Sequence, residues 1–93
     1  MSKVRVCRQV DLNQEECSTL AIELLDKLVA KFGGSYNSQA SVYRYKHGVG
    51  VDALVEPKEG ELSVDVKLGL MARRFAPQLE KEMNRVIDEH LNN

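Results

Sequence analysis

Metal binding is the first chemistry that the residue types suggest, because the chain has two cysteines and two histidines. Zinc sites in proteins are usually built from closely spaced pairs of these residues. Here Cys7 and Cys17 are ten positions apart, and His47 and His90 are distant from both and from each other. The spacing therefore argues against a metal site, and we expect no cofactor.

Acid–base and nucleophilic catalysis also lack a suitable set of residues. Cys17 falls near the start of a predicted helix, where the dipole favours a thiolate, but it also falls on the apolar face of that helix. Asp52 and Asp65 alternate with apolar residues, so both point to a solvated face rather than to the buried setting that acid–base catalysis requires. Gly48 and Gly50 form only a G-x-G, without the third glycine of a phosphate-binding loop. We expect a protein that is not an enzyme.

A short segment that is both apolar and basic is a stronger candidate for function. It comprises Leu70, Met71, Arg73, Arg74 and Phe75. Apolar side chains beside two arginines suit a lipid-like or polyester surface, or an acidic protein partner. The simpler interpretation is that Leu70 and Phe75 cap the end of a small core while the arginines lie in water.

A second candidate surface lies on the first predicted helix. Ile22, Leu25 and Val29 recur at i, i+3 and i+7 and widen the apolar arc of the helix to about 200°. That arc is wider than packing on one sheet requires. Either the second predicted helix covers this flank, or the flank is the interface of a homodimer.

Hydrophobic periodicity predicts the two amphipathic helices that would position these side chains. The first begins after Asn13, which forms a capping box with Glu16, and it ends at Gly33 and Gly34. Its apolar stripe comprises Cys17, Leu20, Ala21, Leu24, Leu25, Leu28, Val29 and Phe32. The second helix has Pro77 in its first turn. Its predicted buried stripe comprises Leu79, Met83, Val86, Ile87 and Leu91.

Alternating apolar and polar residues predict one strand before the first helix and three or four strands between the helices. In the clearest strand we expect Leu62, Val64, Val66 and Leu68 to be buried, and Ser63, Asp65 and Lys67 to be exposed. The predicted order is β-α-β-β-β(-β)-α. One solvated face and short connections indicate a mostly antiparallel sheet. Both helices would lie on its other face, which gives a two-layer α+β sandwich.

Composition limits the partners and the location of the protein. A chain of 93 residues fits a single α+β domain over residues 1–93. Thirteen basic and fourteen acidic residues give a net charge of −1, which argues against a nucleic-acid partner. No apolar run reaches the ~20 residues of a transmembrane helix. The first residues also lack the apolar stretch of a signal peptide, so we expect a cytoplasmic protein.

The C-terminal third carries the most distinctive pattern in the chain. The stretch Val64-Asp65-Val66-Lys67-Leu68-Gly69-Leu70 is followed by the apolar–basic linker and a charged amphipathic helix. Together with Gly50-Val51-Asp52, Phe32-Gly33-Gly34 and Val4-Arg5-Val6, this order resembles the polyhydroxyalkanoic acid system protein family. These are small bacterial proteins associated with gene regions for polyhydroxyalkanoate storage granules. The resemblance implies a role in granule formation, organisation or regulation, and it supplies no catalytic residues.

Two functions stay open at this point. The first is an accessory, non-catalytic protein that binds the granule, or a granule-associated protein, through an apolar surface. The second is a small carrier or sensor that holds an apolar acyl ligand between the sheet and the helices. A cavity large enough for an acyl chain would favour the second function, and a filled core with an exposed apolar flank would favour the first.

Overall fold

A computed structural model describes residues 2–48 and 50–92; Val49, the middle position of the G-x-G, lies outside them. The elements in chain order are β1 Ser2–Gln9, α1 Gln14–Phe32, β2 Ser35–Gln39, β3 Val42–His47, β4 Val51–Lys58, β5 Glu61–Leu68, a 3-10 turn Arg73–Phe75 and α2 Ala76–Leu91. The predicted α+β class is confirmed, and the optional fourth strand between the helices is present.

All five strands belong to one antiparallel sheet in the order β1-β5-β4-β3-β2. The register places Val66 of β5 opposite Val4 of β1 and Ala53 of β4, so three buried side chains form a row across the sheet. Val6 and Val64 pair in the same way. Such rows give the sheet one continuous apolar face, on which both helices pack.

Local capping signals explain the bounds of α1. The Asn13 side chain accepts a hydrogen bond from the Glu16 backbone at 2.8 Å, and the Glu16 carboxylate accepts one from the Asn13 backbone at 2.9 Å. At the other end Gly34 has a φ of +86°, and a Cβ there would lie 2.6 Å from the carbonyl oxygen of Lys46. Only glycine fits this connection between α1 and β2, where the backbone passes close to β3.

The burial pattern of β5 agrees with the prediction at every position except one. Its four apolar residues are buried, and Asp65 and Lys67 are exposed. The prediction that Ser63 is exposed is wrong, because Ser63 is buried. It lies in a central part of the sheet, with Cys7 of β1 opposite it on one side and Glu56 of β4 on the other. Neighbouring strands therefore flank this short side chain from both sides.

The second helix also departs from its predicted stripe at one position. Leu79, Met83, Val86 and Ile87 are buried as expected, whereas Leu91 is exposed. The prediction for Leu91 is wrong because this residue is the last one of α2, where the helix ends before the core can cover its side chain. No helix in the described part of the chain combines the length and the apolar character that crossing a membrane requires.

The fully buried Leu24 offers a test of the core. Replacing it with alanine leaves a cavity, so Leu24→Ala should lower the free energy of unfolding by about 2–5 kcal/mol. Lys27→Ala, on the exposed face of the same helix, should change it by no more than about 0.5 kcal/mol. Urea denaturation followed by circular dichroism measures both. An unchanged midpoint for Leu24→Ala would contradict its place in the core.

Candidate functional site

The apolar–basic linker lies at the end of the sandwich where α1 ends and α2 begins. It leaves β5 at Gly69, whose backbone N–H donates to the carbonyl oxygen of Gly50 at 2.8 Å. The 3-10 turn Arg73–Phe75 then leads into α2. Phe75 and Phe32, the last residue of α1, line the same pocket. The linker is therefore fixed between the sheet and both helices.

The linker face, as we call this surface, consists of Leu70, Met71, Arg73, Arg74 and Phe75. The exposed fraction is 68% for Leu70, 73% for Met71 and 38% for Phe75. Both arginines are exposed as well. Ala72, in contrast, is fully buried and anchors the segment to the core. A role in capping the core explains the partial burial of Phe75, but it does not explain why Leu70 is largely exposed.

A pocket of about 250 Å³ adjoins the linker face and shares Phe75 with it. Residues from both helices, β3 and the start of β4 line it: Lys31, Phe32, Tyr45, His47, Val51, Phe75 and Leu79. Most of these side chains are aliphatic or aromatic. The pocket is therefore an apolar recess at the junction of the two layers.

Two polar side chains in the pocket wall form hydrogen bonds with backbone carbonyl groups at the end of α1. The Tyr45 hydroxyl donates to the carbonyl oxygen of Gly33 at 2.6 Å, and burial raises the pKa of Tyr45, which keeps this donor protonated. His47 Nε2 lies 2.8 Å from the carbonyl oxygen of Phe32. Because a carbonyl oxygen only accepts, His47 carries a proton on Nε2. These bonds also satisfy carbonyl groups that the helix end leaves unpaired.

Positive charge lies over both phenylalanine rings of the pocket. The Lys31 ammonium is 6.0 Å from the centroid of the Phe32 ring. The Arg74 guanidinium is 6.0 Å from the centroid of the Phe75 ring. Such cation–π contacts hold a charged group beside an apolar wall. The pocket thus combines an apolar interior with one lysine in its wall, and Arg74 lies beside Phe75 on the linker.

A buried carboxylate on α2 holds one of these cations, and the sequence patterns did not reveal it. Glu82 is 4% exposed. It accepts hydrogen bonds from Arg85 and, at 2.9 Å, from Lys31. The bonds from Arg85 and Lys31 lower the pKa of Glu82 to about 2 in spite of its burial. Its position three residues after Leu79, at the edge of the buried stripe, is the signal that could have found it.

The predicted homodimer surface on α1 is only partly accessible. Leu25 is fully buried, so the prediction that it contacts a second subunit is wrong: its side chain belongs to the core. Val29 is half-buried and packs against that core. Ile22 is 40% exposed. A homodimer contact at Ile22 and Val29 stays a prediction.

The flank that carries Ile22 faces the edge of the sheet rather than α2. Asp26, one turn after Ile22, accepts a hydrogen bond from the Tyr36 hydroxyl of β2 at 2.7 Å. The contacts of α1 with α2 come from another side of the helix, where Glu23 accepts from His90 Nδ1 at 2.5 Å. The second helix therefore does not hide Ile22.

The other residues considered for chemistry do not come together. Cys17 is buried and Cys7 exposed, and both are free thiols. Asp52 and Asp65 are not opposite each other in the β4–β5 register. Arg44 donates to Asp52 at 2.8 and 3.1 Å, which lowers the pKa of that carboxyl. Within the part of the chain that the structure describes, no three His, Cys, Asp or Glu side chains are grouped as metal ligands.

The fold and the site define a small α+β protein whose distinctive surface is an apolar–basic face beside an apolar pocket. The family model described as "Putative polyhydroxyalkanoic acid system protein" matches residues 4–91. The chain therefore belongs to this family, which confirms the resemblance noted in its sequence. Comparisons with curated proteins and with solved structures found no significant match.

The charge of Glu82 should stabilise the fold in a pH-dependent way. Its pKa falls from an ordinary value of 4.5 to about 2 on folding. The stabilisation is therefore complete above about pH 4.5 and is lost as the pH falls towards 2. Urea denaturation should show Glu82→Gln less stable than wild type at pH 7, with the difference shrinking across this window. Glu80→Gln, at an exposed position of α2, is the control. A difference that does not change with pH would contradict a role for the charge.

The homodimer prediction can be tested at Ile22. Ile22→Glu places a charge on the exposed flank, so it should shift a dimer towards monomer in analytical ultracentrifugation while the circular dichroism spectrum is unchanged. Lys27→Gln, also exposed on α1, changes the net charge by the same single unit and is the control. If the wild-type protein is monomeric at high concentration, the predicted homodimer interface does not exist.

Proposed function

We propose that this chain is an accessory, non-catalytic protein of the polyhydroxyalkanoate storage-granule system. It works in the cytoplasm and binds the granule surface, or a granule-associated protein, through the linker face. Family membership supports the biological setting. The observation that carries the proposal is the exposure of Leu70 and Met71, both more than half accessible, beside Arg73 and Arg74. Adjacent exposed apolar side chains of this size are typical of a contact surface.

The energetics of the linker face suit binding to an apolar surface with anionic groups. Burial of apolar area stabilises a complex by ~25 cal/mol per Å², so Leu70, Met71 and Phe75 together can contribute several kcal/mol. The aliphatic stems of Arg73 and Arg74 can lie along the same surface while their guanidinium groups stay in water. The arginines would add an attraction that weakens with salt.

The distribution of charge also supports this end of the molecule as the contact surface. Lys3 pairs with Lys67 across β1 and β5, next to the end of the sheet from which the linker leaves. Lys46 lies in the same row of the sheet, and the carboxylate of Asp52 lies between Lys46 and Lys67. The opposite end, formed by the start of α1 and the β4–β5 turn, is acidic through Asp11, Glu15, Glu16, Glu59 and Glu61. The linker end of the molecule is therefore basic although the net charge of the chain is −1.

The electrostatics of the buried carboxylate make it unsuited to acid–base catalysis. A general acid or base works best with a pKa near the working pH. Glu82, paired with Arg85 and Lys31, has a pKa of about 2 and is held as an ionised structural group.

The packing between the two layers does not favour the alternative function, an acyl carrier or sensor with its ligand between the sheet and the helices. Side chains of one core cluster fill the space between the layers, and the largest of them include Leu20, Leu24, Leu28, Met83 and Ile87. The pocket lies at the end of the sandwich, where Tyr45, Val51 and Leu79 of that cluster form part of its wall.

Granule localisation tests the proposed function. In cells that make the polyester, the fluorescently tagged double variant Leu70→Ser/Met71→Ser should lose localisation to granules, because the apolar contact is gone. The matched control is Leu54→Ser/Leu91→Ser, which changes two leucines exposed elsewhere on the molecule and should localise as wild type does. If the linker variant localises like wild type, the linker face is not the contact. Diffuse fluorescence of the wild type would refute granule binding itself.

Binding to isolated granules tests the contribution of the arginines. Arg73→Gln/Arg74→Gln should weaken co-sedimentation at low salt and have little effect at high salt, since screening removes the same attraction. Arg5→Gln/Lys58→Gln, a double variant at exposed positions away from the linker, is the control. Equal salt dependence for the arginine variant and the wild type would exclude the arginines from the contact.

A further inference from the structure

The size of the pocket beside the linker face limits what it can hold. A cavity of about 150 Å³ accommodates benzene, so by the same packing a pocket of about 250 Å³ accommodates about ten non-hydrogen atoms. This volume lies just below the ~300 Å³ at which pockets for larger organic ligands begin. The occupant that fits is a short chain or a small ring, not a long lipid.

The residues of the pocket wall favour a ligand whose buried part is apolar. Phe32, Val51, Phe75 and Leu79 contribute aliphatic and aromatic surface. The donors of the other wall residues are engaged, because the Tyr45 hydroxyl bonds the end of α1 and so does His47 Nε2. A polar ligand would lose its hydrogen bonds to water on entering the pocket and would find few hydrogen-bond partners there.

The cationic side chains near the pocket opening favour a ligand with a negative charge at one end. Lys31 lines the pocket and uses one donor on Glu82, which leaves the other N–H groups of its ammonium for an acceptor. Its side chain is half exposed. Arg74 lies over the Phe75 ring, on the linker side. Glu82 and Glu89 together balance Lys31 and Arg85, because Arg85 donates to both carboxylates. The excess positive charge on this side of the pocket therefore comes from Arg74.

We propose that this pocket is a binding site for a free medium-chain carboxylate. The alkyl chain occupies the apolar recess, and the carboxylate accepts hydrogen bonds at the rim from Lys31, with Arg74 as the second cation. Such a site goes beyond contact with a granule surface, because it recognises one small molecule by its length and its charge. Its occupancy does not require the exposed leucine and methionine of the linker face.

Octanoate is the probe of the right size, and octanamide is its uncharged counterpart. Isothermal titration calorimetry on the wild-type protein should give a Kd for octanoate about tenfold lower than for octanamide, the difference expected for a charge-assisted hydrogen bond at a half-exposed lysine. Butyrate should bind more weakly because it leaves most of the recess empty. Chemical shifts of Val51 and Leu79 should change during the octanoate titration.

The variants isolate the two parts of the site. Lys31→Met keeps the aliphatic stem and should remove most of the preference for octanoate over octanamide, whereas Lys27→Met, one turn earlier on α1, should keep it. Phe75→Ala should weaken both ligands alike. No saturable octanoate binding to the wild type, or equal Kd values for octanoate and octanamide, would overturn the site even if Lys31→Met failed to fold. Granule localisation is measured separately, so either idea can fail without the other.

Discussion

One constraint shapes this molecule: the five-stranded sheet has a single apolar face, and two helices have to share it. Rows of small aliphatic side chains cross the sheet from β1 to β4, so the buried area is continuous rather than divided between two faces. Helices that cover one such face lie side by side. The antiparallel course of α1 and α2 then brings the end of one helix, the start of the other and the end of β5 to the same place. The linker face and the pocket arise at that junction.

The contacts between the helices decide the electrostatics of the junction. Glu82 is buried between two cations, and this arrangement holds Lys31 at the pocket while the carboxylate stays ionised. Farther along, Glu23 and His90 join the helices a second time. Positive charge is left over at the linker end, and acidic residues collect at the other end of the sheet. The molecule is therefore polarised along its strands although its net charge is close to zero.

Family membership and surface chemistry address different questions about function. The family connects the chain with polyhydroxyalkanoate biology, and the structure shows which apolar side chains are exposed. Exposed Leu70 and Met71 are suited to a broad apolar contact, whereas the recess between Phe32 and Phe75 has the dimensions of one small chain. An extended contact and a discrete ligand site can coexist because they share only two side chains, Arg74 and Phe75.

The sequence by itself determined the local structure and the family. The capping box of Asn13 and Glu16, the glycines after α1 and the alternation in β5 depend on residues close together in the chain, so short-range patterns predict them. The tertiary structure decided which side chains are buried away from solvent. Ser63 is buried because its side chain is short and lies between Cys7 of β1 and Glu56 of β4. Leu25 is buried because the core encloses it, and Glu82 because α1 brings Lys31 to it. The pocket could not be predicted for the same reason: its walls come from elements far apart in the chain, and periodicity within one element carries no information about which others will meet it.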